Sequence, residues 1–260
     1  MAAPEPSGRS DLGEDVTADA LLDGRVRIFQ PARGARMSLD PVLLAGFIAP
    51  PYGRFLDIGC GTGVVSFLLL ARDPAATGVG VELQPRLAAL AERGRNENDW
   101  RGRLDVVAGD VRNLAATLGA ASADLVVTNP PFRPVREGSL SPHRERALSN
   151  HELALSLPEW LDVAAHAVRP GGRVAAIFPA ERADELLRAM RTRQLAPARV
   201  RYVHPREGQS ALRVLVEAER GGSRAQLIET PLVVHGGAGR FTDEVRRMLG
   251  AQGAAASGDD

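Results

Sequence analysis

The stretch that decides the fold is "RFLDIGCGTG", residues 54–63. Its first half is short and mostly apolar, which predicts a buried β-strand. Three glycines at alternate positions follow, and the apolar segment "VVSFLLLARD" after them predicts a helix. Glycines at such a turn let the backbone bend tightly and pass close to a ligand. The stretch therefore predicts a strand, a ligand-binding turn and a helix in succession.

The same alternation of strand and helix continues along the chain. Further strands are predicted at "GVGVEL", "LDVVAGD", "ADLVVTN" and "RVAAIFP", each followed or preceded by a helical segment. This order predicts a doubly wound α/β fold with a mostly parallel sheet and helices on both faces. Too few residues for a helical crossover separate "ARVRYVHP" from "ALRVLVEAER", so these two segments are predicted to pair as antiparallel strands.

The regions outside this alternation are predicted to be an extension and two tails. A short strand, "GRVRIFQP", precedes Asp40 and Pro41, which favour a capped helix start. We therefore expect one domain over residues 21–250, with a strand and helix extension over 21–50. Residues 1–20 and 251–260 are rich in small, acidic and proline residues and are predicted to be disordered tails.

Composition restricts the location and the partners of the protein. The 32 basic and 32 acidic residues cancel, so the whole chain lacks the positive charge typical of a nucleic-acid-binding protein. The one cysteine, Cys60, cannot form an internal disulfide, and this favours a reducing cytoplasm. No apolar run reaches the ~18–20 residues of a membrane-spanning helix, and no cluster of metal ligands is apparent. We expect a cytoplasmic protein that binds neither membrane nor metal.

Acidic residues stand at the predicted strand ends, where ligands bind in open parallel sheets. Asp57 precedes the first glycine by two residues, Glu82 ends the second strand, and Asp110 follows the third. An acid in the position of Glu82 accepts hydrogen bonds from ribose hydroxyls in nucleotide-binding sheets. The glycine spacing departs from the dinucleotide fingerprint, and a carboxylate beside the loop favours an amino-bearing or cationic ligand over a pyrophosphate.

These segments resemble the motifs of the class I S-adenosylmethionine-dependent methyltransferases. The resemblance covers most of the chain and implies a Rossmann-like fold with a mostly parallel seven-stranded sheet. It also implies S-adenosylmethionine as the cofactor, with its methionine part at the glycine loop, its ribose at Glu82 and its adenine at Asp110. The residues that it implies for cofactor binding are Asp57, Gly59, Cys60, Gly61, Gly63, Glu82, Leu83, Asp110, Val111 and Asn129.

The fourth strand ends in a tetrapeptide, Asn129-Pro130-Pro131-Phe132, that predicts the catalytic site. A residue before proline is held extended, so the Asn129 amide projects at the strand end. Because Pro131 has no N–H, the Pro130 carbonyl is free to accept a hydrogen bond, and Phe132 offers a face for stacking. Two acceptors could hold both hydrogens of a planar amino group and direct its lone pair at the methyl donor.

This tetrapeptide after such a loop resembles that of enzymes that methylate adenine N6, guanine N2 or a glutamine amide. Longer segments are similar to the bacterial tRNA-valine adenine-N6 methyltransferases, which modify the adenine beside the anticodon: "GARMSLDPVLLAGFIAP", "VHPREGQSALRVLVEAERGG" and "GRFTDEVRRML". The family usually has tyrosine where this chain has Phe241. The resemblance implies tRNA as the partner, and locally basic positions predict contacts to it: Arg33, Arg36, Arg133, Arg136, His143, Arg144 and Arg146.

Three other interpretations stay open at this point. A glutamine methyltransferase acting on release factors shares the tetrapeptide, usually with tyrosine, but has an additional helical domain ahead of the sheet. A guanine-N2 methyltransferase of ribosomal RNA also shares it. A catalytically silent RNA-binding module would keep the fold without needing all of the motifs. The basic positions could equally be a solvated surface, since every basic residue of the chain is arginine.

Overall fold

The computed structural model describes residues 15–33, 37–113, 119–130 and 155–250. The strands in these ranges are Val16–Leu21 (β1), Val26–Pro31 (β2), Arg54–Ile58 (β3), Thr77–Glu82 (β4), Leu104–Ala108 (β5), Ala123–Thr128 (β6), Val168–Pro179 (β7), Leu195–Arg206 (β8), Arg213–Arg220 (β9), Leu227–Ile228 (β10) and Leu232–His235 (β11). The α-helices are Asp40–Phe47 (α1), Val64–Arg72 (α2), Pro85–Glu97 (α3), Leu157–Ala167 (α4), Ala183–Arg191 (α5) and Asp243–Leu249 (α6).

The main sheet has the predicted doubly wound, mostly parallel architecture. Its strands lie in the order β10-β8-β9-β7-β6-β3-β4-β5, and β11 also pairs with β8. Strands β3 to β7 are parallel, whereas β9 is antiparallel to both β7 and β8. The predicted C-terminal antiparallel pair is therefore confirmed. The sheet has two strands more than the seven that were predicted, because the short strands β10 and β11 both pair in parallel with the outer side of β8.

Apolar side chains cover both faces of this sheet and form two large buried clusters. Helices α1, α2 and α6 contribute to one cluster, and α4 and α5 contribute to the other. Along β3, Phe55 belongs to the first cluster while Leu56 and Ile58 belong to the second. Burial on both faces explains why the parallel strands have nearly continuous apolar sequences. None of the helices described is long and apolar enough to cross a membrane.

The amino-terminal part departs from the prediction because β1 is a strand. It pairs antiparallel with β2 over the full length of both and forms a separate two-stranded sheet. Residues 16–20 therefore do not belong to a disordered tail, contrary to the predicted boundary at residue 20. The polar composition of this strand concealed it, since Asp19 is bound across the pair by Gln30 Nε2, which donates to its Oδ2 at 3.0 Å.

Helix α1 lies where it was predicted, but Asp40 does not cap it. The N-cap position is Leu39, which makes no side-chain capping bond, and Asp40 is the first helical residue. The Asp40 carboxylate instead accepts a hydrogen bond from Arg213 Nε at 2.9 Å. The predicted cap was wrong because an arginine distant in sequence competes for the same oxygens. Pro41 does lie in the first turn, as expected from its restricted backbone.

Candidate functional site

The register of the parallel strands brings the predicted site residues to one edge of the sheet. Ile58 of β3 is opposite Val81 of β4 on one side and Thr128 of β6 on the other. The Thr128 hydroxyl also donates to the Ile58 carbonyl at 2.9 Å, which joins the two strand ends. Neighbouring strands lie ~4.8 Å apart. The residues that follow these positions therefore lie side by side: Gly59 after β3, Glu82 on β4 and Asn129 after β6.

The glycine loop is held by backbone bonds and presents an open surface. The amides of Gly59 and Cys60 both donate to the Val81 carbonyl, at 2.9 and 3.0 Å. Gly59 and Gly61 have φ values of +70° and +58°, and a Cβ built on either would have no atom of the described residues within 4 Å. Side chains are disfavoured at these two positions, and no described residue fills the space that they would enter. This surface forms a cradle in which a ligand can approach the backbone.

Gly63 serves a different purpose from the other two loop glycines. It is the N-cap of α2, with φ of +84°, and a Cβ there would lie 2.7 Å from the ring of Phe67. The missing side chain of Gly63 therefore gives space to a buried ring of the following helix. Its predicted contact with a cofactor stays a prediction, and the structure assigns it a packing role.

Glu82 is a buried carboxylate with a fixed orientation. Only 6% of the residue is exposed, and burial raises the pKa of its carboxyl above the ordinary value. One oxygen accepts from the Gly61 amide at 2.9 Å and the other from the Gln84 amide at 2.8 Å. Each oxygen of an ionised carboxylate can accept a second bond. Glu82 thus joins the glycine loop to β4 and retains acceptor capacity for a diol.

Asp57 is directed at helix α2. Its side chain accepts from the Ser66 hydroxyl at 2.7 Å and from the Ser66 amide at 3.2 Å, and the residue is only 1% exposed. Burial raises the pKa of Asp57 to about 7, although the bonds from Ser66 act in the opposite direction. Asp57 therefore satisfies the start of α2, which has no side-chain N-cap. Its partner Ser66 was missed from the sequence, and its own contact with a cofactor stays a prediction.

Asp110 belongs to a series of charged side chains, linked by hydrogen bonds, that reaches helix α4. Arg112 Nε donates to both of its oxygens at 2.9 Å, and these bonds lower the pKa of Asp110. Arg112 Nη1 also lies 2.8 Å from Glu159 Oε1. Glu159 accepts two bonds from Ser156, which together with Arg112 lower its pKa to about 2. The capping-box spacing of Ser156 and Glu159 was visible in the sequence, whereas their link to Asp110 was not.

The remaining predicted residues differ in their surroundings. Asn129 is half-buried and Pro130 is buried at the end of β6, while Val111 belongs to a buried apolar cluster. Cys60 is buried, Leu83 is half-buried and Arg33 is exposed. The other predicted catalytic and RNA-contacting residues lie outside the described residues: Pro131, Phe132, Arg36, Arg133, Arg136, His143, Arg144 and Arg146.

Comparison with known proteins identifies the family to which this arrangement belongs. Residues 39–144 match the family model described as "Methyltransferase small domain". A relative from Porphyromonas gingivalis, named tRNA1(Val) (adenine(37)-N6)-methyltransferase, is 30% identical over 243 residues, which are 90% of this chain and 94% of the relative. The chain belongs to this methyltransferase family. An Aeromonas hydrophila relative of the same name is 30% identical over 211 residues, 80% of this chain and 86% of that one.

Membership of the tRNA1(Val) (adenine(37)-N6)-methyltransferase family agrees with the fold. A predicted O-methyltransferase from Agrobacterium tumefaciens has the same fold, with a TM-score of 0.66 at 24% identity, covering 81% of this chain and 95% of that one. The chain is an S-adenosylmethionine-dependent methyltransferase. Its residues fit that cofactor, because Gly59 and Gly61 face open space and Glu82 presents two oriented oxygens beside them.

Proposed function

We propose that this enzyme methylates the exocyclic N6 of an adenine in tRNA, at the position beside the anticodon of a valine tRNA. The substrate is the one in the names of relatives that this chain matches over 94% and 86% of their length. The observation that carries the proposal is the position of Asn129, which follows β6 directly beside the first glycine of the loop. An amide there is in reach of a base and of the methyl donor at once.

The proposed catalytic step depends on two hydrogen-bond acceptors. The Asn129 side-chain oxygen and the Pro130 carbonyl accept the two N–H bonds of the adenine amino group, while Phe132 stacks on the base. Bound S-adenosylmethionine supplies an electrophilic methyl group. Both acceptors draw the amino nitrogen out of conjugation with the ring and aim its lone pair along the line of transfer. With the cofactor bound, the amino nitrogen would form a bond to the methyl carbon as the bond from that carbon to sulfur broke. S-adenosylhomocysteine would be the leaving group, and the nitrogen would then lose one proton to water.

The cofactor is proposed to lie across three strand ends. Glu82 accepts from both ribose hydroxyls, as an acid at this position of a nucleotide-binding sheet does. Asp110 accepts from the adenine amino group of the cofactor, and the methionine part passes over Gly59 and Gly61. The depressed pKa of Asp110 keeps this carboxylate ionised, and therefore an acceptor, at neutral pH.

The substrate is tested by supplying labelled S-adenosylmethionine with total tRNA, ribosomal RNA and release factors in separate reactions. The expected product is N6-methyladenosine in a valine tRNA, mapped by nuclease digestion and mass spectrometry. Label found only in ribosomal RNA or only in protein would contradict the proposal.

The role of Asn129 is tested with Asn129→Ala. Methyl transfer should be lost, while the cofactor dissociation constant stays within several-fold, because the amide serves the amino group that is methylated. Asn96→Ala is the matched control, since Asn96 is an exposed asparagine on α3. An Asn129→Ala enzyme with normal turnover would contradict the assigned role.

A further inference from the structure

A second group of side chains lies at the same edge of the sheet as Asn129. Strand β9 is antiparallel to both β7 and β8, so β8 runs in the direction of the parallel strands, and β11 runs parallel to β8. The carboxyl ends of β8 and β11 are therefore at the edge that holds the cofactor cradle. Four strand spacings separate β6 from β11, which corresponds to ~19 Å. This distance is short enough for one RNA to reach both Asn129 and this part of the edge.

Three side chains form a row there, which we call the ring row: Arg206, His235 and Phe241. Arg206 at the end of β8 is the register partner of His235 at the end of β11. His235 also forms an isolated antiparallel bridge with Phe241. Side chains of directly opposite residues project on the same side of a sheet. The ring row is thus a continuous strip across three adjacent backbone segments.

The two rings of this row are stacked, with His235 half-buried and Phe241 exposed. Their centroids are 5.0 Å apart with an interplanar angle of 18°. Phe241 is 38% exposed, one of the few large apolar side chains in the described ranges that are not covered. An exposed aromatic face with a polar neighbour is typical of a surface that binds another molecule.

Local hydrogen bonds hold the His235 ring and the backbone next to Phe241 in place. His235 Nδ1 is 3.1 Å from the Gly239 carbonyl, which can only accept, so Nδ1 carries the hydrogen and Nε2 of the neutral ring is an acceptor. Phe241 is followed by Thr242, whose hydroxyl donates to Val233 O at 2.8 Å and whose amide donates to Val234 O at 3.0 Å. The ring pair is therefore prepared for a ligand without further ordering.

The positive charge of two arginines at the ring row favours an anionic ligand. Arg206 is exposed and makes no ion pair with any residue in the described ranges, and Arg240 in the adjoining turn is also exposed and unpaired within them. Stacked aromatic rings beside arginine are a combination that binds unpaired nucleotides, with the base on the rings and the phosphate on the cation.

We propose that the ring row is an RNA-binding surface that receives an unpaired nucleotide of the substrate, at a distance from the methylated adenine. The base stacks on the exposed face of the His235–Phe241 pair, and Arg206 binds an adjacent phosphate. The inference rests on the proposed function, because it takes the substrate to be RNA. It adds a site to the arginine positions expected from the sequence, none of which belongs to β8 or β11.

The test compares Phe241→Leu and Arg206→Ala with the wild-type enzyme. Phe241→Leu keeps an apolar side chain and removes the stacking face, and Phe241→Trp should restore binding. We expect each of the two disruptive variants to raise the dissociation constant for valine tRNA about tenfold, with turnover at saturating tRNA and cofactor affinity unchanged. Arg206→Ala should also reduce the slope of affinity against salt by about one.

Two control variants remove the same kinds of side chain, one apolar and one arginine, at exposed positions away from the ring row. Ile228→Ala removes an exposed apolar side chain on β10, beside the middle of β8, and Arg224→Ala removes an exposed arginine. Both should leave tRNA affinity unchanged. If the wild-type enzyme methylates tRNA but Phe241→Leu and Arg206→Ala bind it normally, the ring-row inference is wrong and the proposed function stands. If the wild-type enzyme methylates only protein, both fail.

Discussion

Gly59 and Gly61 show how single residues shape the proposed cofactor site. Both have positive φ, and within the part of the chain that the structure describes no atom lies within 4 Å of a Cβ built on either. Gly63 shares the positive φ but faces the Phe67 ring. The same residue type therefore serves ligand access at two positions and helix packing at the third, a difference that only the surroundings reveal.

Gly61→Ala should weaken cofactor binding by about tenfold or more, because the added methyl group would enter the open cradle. A tenfold change in the dissociation constant corresponds to ~1.4 kcal/mol of binding free energy. The left-handed backbone should also cost ~1 kcal/mol of stability. Calorimetric titration with S-adenosylhomocysteine and urea unfolding measure the two effects.

Gly24→Ala separates these two effects. Gly24 has φ of +87° and open space around it, but it lies in the turn between β1 and β2. This variant should lose a similar amount of stability and keep full cofactor affinity. Equal affinities for the Gly61→Ala and Gly24→Ala proteins would show that the open cradle is not the cofactor site.

Asp57 should make the stability of the protein depend on pH. Its pKa rises from the ordinary 3.8 to about 7 on folding, so between these values the folded chain holds a proton that the unfolded chain has released. Stability due to this group is complete below pH 3.8 and falls as pH rises towards 7, by at most ~1.4 kcal/mol per pH unit.

In Asp57→Asn this part of the pH dependence should vanish, because an amide does not titrate. Urea unfolding of both proteins at several values between pH 5 and 8 measures the difference. Glu82, whose pKa is also raised, is present in both proteins, so the Asp57→Asn protein keeps the pH dependence that Glu82 contributes. Parallel curves for the two proteins would exclude the proposed titration.

At the scale of elements, the bridge from Asp110 through Arg112 to Glu159 joins the segment after β5 to the start of α4. Arg112 holds both carboxylates, at 2.9 Å from Asp110 and 2.8 Å from Glu159. This helix is the first described helix after the tetrapeptide in the sequence. The proposed cofactor contact of Asp110 and the start of α4 are thus coupled through the guanidinium of Arg112.

Arg112→Ala should weaken cofactor binding by about three- to tenfold, because Asp110 loses the partner that orients it. Stability should change by less than ~1 kcal/mol, since the groups are accessible to solvent. Arg193→Ala is the control, because Arg193 Nε pairs with Asp162 of α4 at 2.7 Å and does not contact Asp110. Equal cofactor affinities in the two variants would contradict the positioning role.

At the scale of the whole molecule, Glu217 connects three strands and a helix. It lies on β9, with only 8% of its side chain exposed, between Arg173 of β7 at 3.2 Å and Arg199 of β8 at 3.5 Å. Arg173 also donates to the Ala49 carbonyl, and Arg199 donates to the Phe47 carbonyl. The end of α1 is thereby held against the antiparallel part of the sheet.

Glu217→Ala should lower the free energy of unfolding by about 2 kcal/mol, because two partly buried arginines lose a shared partner. Arg199 keeps Glu229, at 2.6 Å, and this limits the loss. Glu185→Ala removes the exposed partner of Arg182 and should cost less than ~1 kcal/mol. Guanidinium unfolding distinguishes the two, and equal losses would show that Glu217 is not a central connection.

Much of the fold follows from the sequence because strands, glycine turns and prolines act through the local backbone. The mostly parallel sheet and the antiparallel pair β8–β9 were predicted correctly on this basis. The strand β1 and the short strands β10 and β11 were not, because neither periodicity nor length distinguishes them. Their existence depends on a neighbouring strand that offers unpaired backbone groups.

The sequence by itself determined the doubly wound fold, the glycine cradle and the asparagine at the end of β6, since each depends on residues that are adjacent in the chain. Tertiary structure decided the partners of the charged and aromatic side chains. Asp40 binds Arg213 and not its own helix, Asp110 is held by Arg112, and Phe241 stacks on His235. These pairings depend on how strands and helices are arranged in space, and hydrogen bonds and ring stacking act only between side chains that the fold has already brought into contact.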